Sequence, residues 1–122
     1  MYAVRHVVSL TTATGGAATG YTPVVNGRVL GIRYVKTDFA DGVVFTITGE
    51  TTGVNVWTQT AVNASATVCP RQATHTVLGA AALYAGSGVA VLDDVVLANE
   101  RLQIAVTSGG DGKIGVFHVI VG

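Results

Sequence analysis

The histidines, cysteine and charged side chains of this 122-residue chain are few: three histidines, one cysteine, seven basic and seven acidic residues. His6, His75 and His118 lie far apart, and no HExxH, GxSxG or CxxC spacing links them to a nucleophile or a ligand set. His6 and His118 fall in the first and last alternating segments. Were those strands to pair face to face, two imidazoles could hold zinc, although a structural site wants four ligands. The weightier reading is two half-buried strand histidines, with no metal or cofactor required. Asp93-Asp94 would point to opposite faces of a strand, which makes a poor acid/base pair and a good strand-ending loop. Asp38 and Asp41 lack the DxDxDG spacing of a calcium loop. Cys69 precedes Pro70-Arg71, and a neighbouring cation can activate a thiol. A lone cysteine in a β domain is more often a small buried hydrophobe, and that is the expectation here. No constellation for catalysis emerges, so the chain is read as a non-enzyme.

Composition narrows the classes further. Equal numbers of acids and bases give zero net charge. Nucleic-acid binding through a basic face is therefore not expected, because phosphate neutralisation drives such affinity. Hydrophobic residues make up 49% of the chain, which excludes disorder. The long uncharged stretch Gln72 to Leu92 holds polar residues and glycines and does not read as a membrane span. The opening residues show no basic-then-apolar leader, and the single cysteine fits a reducing compartment. The length fits one domain, residues 1–122. Charged residues are 11% of the chain, against ~25% in an ordinary soluble domain. So neutral a surface invites association. We expect copies of the chain, or a partner, to cover part of it; the alternative is solvation by the many threonines.

The elements that must position these residues are strands. Val, Ile and Thr contribute 22, 5 and 16 residues, and β-branched side chains favour pleated structure. Short apolar runs punctuated by glycine predict an all-β, single-domain β-sandwich or jelly-roll-like barrel. Alternation marks strands at Tyr2–Thr11, Arg28–Lys36 and Val43–Thr48. Others follow near Ala17–Pro23, Val54–Thr58, Ala66–Cys69, Val89–Leu92, Val95–Ala98, Arg101–Thr107 and Lys113–Val121. Asn26-Gly27 reads as the turn of a tight hairpin. Glu50-Thr51-Thr52-Gly53 is a turn, and Ser108-Gly109-Gly110-Asp111-Gly112 is a hairpin signal between the last two strands.

Residues 70–88 resist this scheme and read as one long, partly irregular loop. The segment carries Arg71, His75, Leu83 and Tyr84. With Trp57 these form the candidate oligomer or partner interface, since Trp, Tyr and Arg dominate binding hot spots. For Trp57 a core position weighs more. A loop of this length is usually functional or disordered, and Val77, Leu78 and Leu83 argue against disorder.

Val25-Asn26-Gly27-Arg28, Ile32-Arg33-Tyr34, Phe45–Gly53, Pro70–His75, Gly79–Tyr84 and Glu100-Arg101-Leu102 together resemble small virion proteins of tailed bacteriophages, of the capsid decoration or cement type. The resemblance spans nearly the whole chain, and its motifs are structural. It implies a protein made in the bacterial host cytoplasm and carried on the outer capsid surface of the virion. There it would bind the major capsid protein lattice, typically as a homotrimer, and stabilise the shell. The other class left open is a lectin-like or tail-associated ligand-binding β-sandwich, with Trp57 beside Asn55, Gln59 and Asn63 as its nearest approach to a site.

Overall fold

Period-two alternation of apolar residues does become strands, and the computed structural model describes residues 3–86 and 88–122 of the chain. Tyr2, expected in the first strand, and Ser87 lie outside the described residues. Ten strands follow in order: β1 (Val4–Thr11), β2 (Ala18–Tyr21), β3 (Val25–Lys36), β4 (Val43–Gly49), β5 (Asn55–Val62), β6 (Ala66–Val68), β7 (Arg71–Ala73), β8 (Leu92–Glu100), β9 (Leu102–Thr107) and β10 (Ile114–Val121). They make two antiparallel sheets packed as a β-sandwich. The six-stranded sheet runs β1-β10-β3-β8-β7, with β6 also paired to β3; the four-stranded sheet runs β2-β9-β4-β5.

The pairing is nested. β1 pairs with β10, β2 with β9, β3 with β8 and β4 with β5. The chain is thus one long antiparallel ribbon, folded so that alternate pairs fall in opposite sheets. Further pairing of β10 with β3 and of β9 with β4 knits each sheet together.

The inward faces meet over an aromatic cluster. Tyr34 and Phe117 of one sheet pack on Phe45 of the other at ring-centroid distances of 5.2 and 5.1 Å. Trp57 stands edge-on to Phe45 at 4.8 Å. Val43, Phe45 and Ile47 are fully buried, as their alternation predicts. Gly115 makes room for Phe39: a Cβ there would lie 2.3 Å from its ring.

Three readings change in the fold. Asn26-Gly27 sits inside β3 and closes no hairpin. Gly27 has φ +120°, and a Cβ there would lie 2.9 Å from the Gly122 carbonyl, so the glycine answers a close approach of the chain. The Asn26 side chain accepts from the Asn99 amide (2.7 Å), where the register slips between β3 and β8. Ser108–Gly112 joins β9 in one sheet to β10 in the other, a corner rather than a hairpin. Glycine-rich five-residue loops permit both, and the destination of the next strand decides. Finally, of the two strands expected at Val89–Leu92 and Val95–Ala98, the second lies within β8, which begins at Leu92 and runs through Asp93-Asp94, while Val89–Val91 stay outside it.

Candidate functional site

Between β5 and β8 the ribbon makes an excursion outside the sandwich, and it gathers four of the five residues singled out by sequence. β6 and β7 anchor its start by pairing with β3 and β8. Beyond Ala73 the backbone forms two tight returns where one long, partly irregular loop was expected. The Thr76 amide donates to the Ala80 carbonyl (2.8 Å) and the Tyr84 amide to the Val89 carbonyl (3.0 Å). The limbs are tied by Thr74 N–H to Val91 O, Ala82 N–H to Thr74 O and Val91 N–H to Ala82 O, at 2.8–2.9 Å. Gly79 and Gly88, at φ +84° and +87°, supply left-handed backbone at the returns, where a Cβ would strain the turn. The bridges His75–Ala81 and Leu83–Ala90 extend the pairing.

What this scaffold presents is apolar. Val77 and Leu78, at the first return, are 103% and 96% exposed. Leu83, Tyr84, Val89 and Leu92 are exposed as well. Turn centres are normally polar or glycine, and a Val-Leu pair held in one by hydrogen bonds exposes surface that water disfavours. Spacing alone could not place Val77 and Leu78 at a tip; the signal available was an apolar pair directly before Gly79.

The remaining candidates divide. His75 is exposed on the excursion. Arg71 stands at its base opposite Asp94, its cross-strand partner, and pairs with that carboxylate at 3.1 Å. Arg28 approaches the same carboxylate from β3 at 3.7 Å. Asp94 is thereby shared between two arginines inside β8, and Asp93-Asp94 opens a strand rather than ending one. Arg71 thus has a partner within its own chain, and its half-exposed guanidinium braces the foot of the excursion. Trp57 is buried against Phe45 and belongs to the core.

Cys69 corrects an expectation: it is exposed. Alternation through β6 turns Pro70 inward, where it is buried, and so turns Cys69 outward. His6 and His118 do lie on paired strands, but His6 is opposite Val119 and His118 opposite Val7. One register step puts the two rings on opposite faces of the sheet, so they share no ligand. Among the described residues no cluster of three or more His, Cys, Asp or Glu could hold a metal, and no helix is long and apolar enough to cross a membrane.

Elsewhere the charges serve the frame. Glu100 is buried, and its carboxylate accepts from the Thr51 and Thr52 amides (3.2 Å each) and the Thr52 hydroxyl (3.1 Å). It fixes the β4–β5 turn from the neighbouring segment. Gly49 leaves the space, for a Cβ there would lie 2.4 Å from Glu100 Oε1. Arg101 grips Glu50 through two hydrogen bonds and stacks over the Tyr21 ring at 4.2 Å. No family model matches the chain, and no curated protein matches it.

Proposed function

We propose that this protein is a capsid decoration protein, a virion structural component that binds the outer surface of a major capsid protein lattice and stabilises the shell. The observation that carries the reading is the hydrogen-bonded excursion with Val77 and Leu78 bare at its tip. A feature so built is suited to seat in a neighbouring protein. Burial of each side chain would stabilise the contact by about 1.5–3 kcal/mol. An oligomer, a homotrimer in this reading, would engage several capsid subunits at once, and linkage multiplies such modest contacts. Ligation of the assembled shell alone then shifts assembly by mass action.

The sandwich supports the reading at a second level. Four nested antiparallel pairs wrapped over two sheets support the jelly-roll reading, an architecture found in viral capsid and lectin domains. Between those two, burial of Trp57 removes the aromatic on which the ligand-binding alternative rested.

The test is co-sedimentation with undecorated heads of the phage that encodes the chain. Wild-type protein should pellet with the heads, and the double variant Val77→Asp/Leu78→Asp should stay in the supernatant with its melting temperature unchanged. Equal pelleting of the variant overturns the assignment of the tip. Failure of the wild type to pellet overturns the function.

A further inference from the structure

The outer face of the six-stranded sheet carries a second feature, unrelated to the excursion. Side chains at Arg5, Val7 and Ser9 of β1 face outward, as do Val116, His118 and Ile120 of β10 and Arg33 and Val35 of β3. Register sets them in rows: Val7 opposite His118 opposite Arg33, and Arg5 opposite Ile120 opposite Gly31. Gly31 contributes no side chain to its row. The result is a shallow depression of about 240 Å³ lined by Arg5, Arg33, Val35, His118 and Ile120.

Its electrostatics are unbalanced. Other arginines on the chain have acids: Arg28 and Arg71 share Asp94, and Arg101 holds Glu50. Arg5 and Arg33 have no carboxylate within ion-pair distance among the described residues. They flank β10 from either side, on strands roughly 10 Å apart. Like charges so placed repel, and no carboxylate among the described residues pairs with either. Arg33 is also held in position: its Nη1 donates to Thr67 Oγ1 at 2.7 Å, leaving its other N–H groups free.

His118 lies between them. Its Nδ1 is buried without a hydrogen-bond partner. A bare buried acceptor costs less than an orphaned N–H, so the favoured tautomer puts the proton on Nε2. The ring then offers a donor to the depression. Two guanidiniums and an imidazole N–H over an apolar floor of Val35 and Ile120 match an anion with an aliphatic stem. The chain's zero net charge does not suit a polyanion.

We propose that this depression binds a side-chain carboxylate, an Asp or Glu presented by a partner protein whose surface lies flat against the sheet. The openness of the site and its border at Val7 favour broadside approach over entry of a chain terminus. The guanidiniums would each take one carboxylate oxygen, with the imidazole donating between them.

Side-chain NMR of labelled protein tests this at fixed pH, with N-acetylglutamate α-amide as the probe. Saturable shifts of the His118 imidazole and the Arg5 and Arg33 guanidinium signals are expected, with a dissociation constant on the order of millimolar. Arg5→Gln/Arg33→Gln should bind about tenfold more weakly or worse, and Lys113→Gln, an exposed cation elsewhere, should bind as wild type. No saturable shift, or an undiminished response in the double variant, overturns the proposal. Equal binding of inorganic phosphate overturns the carboxylate assignment, and tighter binding of N-acetylglutamine, which bears only a terminal carboxylate, overturns the side-chain assignment.

Discussion

Glu100 shows how one residue can hold a turn it does not belong to. Its carboxylate satisfies two amides of the Thr51-Thr52 turn, so Glu100→Ala removes a charged acceptor from both in a half-buried site. That variant should lose about 1–3 kcal/mol in chemical denaturation. Tyr34 is the opposite case. Its hydroxyl is buried without a partner, and burial pushes its ionisation above the usual tyrosine range. Tyr34→Phe should be neutral or stabilising, by up to about 2 kcal/mol. A folded-state value raised above the unfolded one means stability that is complete below the ordinary tyrosine pKa and lost as pH climbs toward the raised one. The variant should therefore flatten the alkaline limb of the melting-temperature profile. Glu50 runs the other way: the hydrogen bond from Arg101 holds its carboxyl below the usual range. Its contribution is present above the ordinary carboxylate pKa and disappears as pH falls through the lowered one. The melting-temperature difference between wild type and Glu50→Gln should close over that acid window. Single residues were the least legible level of the sequence. Cys69 and Trp57 turned on which way the local chain faced, and Glu100 on a turn 48 and 49 positions away in the chain.

Elements were legible where their cause was local. The Val43–Thr48 alternation needs only a two-faced strand between core and solvent, and β4 follows it residue by residue. Asn26-Gly27 carries the local chemistry of a hairpin, yet its glycine is demanded by the Gly122 carbonyl, nearly a whole chain away. Gly27→Ala should therefore cost about 2 kcal/mol, from a left-handed backbone as well as the close approach. A hairpin turn there would predict loss of β3 pairing instead, and amide exchange in β3 and β10 distinguishes the two. The excursion was legible as an anomaly, too apolar for a free loop and too short of alternation for a strand. Its two returns depend on Gly79 and Gly88, and its base on Arg71 against Asp94. Arg71→Ala should loosen the foot, raising amide exchange at Ala73 and Leu92 ahead of global unfolding. A variant with unchanged exchange would remove Arg71 from the excursion's support.

At the scale of the whole molecule, the sparse charge foreseen to drive association is concentrated in frame-building pairs, while apolar side chains stand bare on the excursion and the outer sheet face. Native mass measurement at micromolar concentration should find an oligomer, a trimer on the proposed function; a clean monomer would count against the assembly reading. The nested ribbon has a consequence for how the molecule comes into being. β10 is synthesised after the other nine strands, yet it lies between β1 and β3, with Val4 meeting Val121 across its ladder. Until β10 leaves the ribosome, β1 has no neighbour in its sheet and β3 lacks one of its two long partners. Such distant pairing pays its loop-closure entropy early and slows the search, to milliseconds or seconds for domains of this kind. The six-stranded sheet therefore closes only once β10 is available. A chain arrested after β9 would display raw sheet edges, the hallmark of an aggregation-prone intermediate. Only copies that have formed β10 close the six-stranded sheet, so the strand order leaves the closing of the sandwich to its last strand.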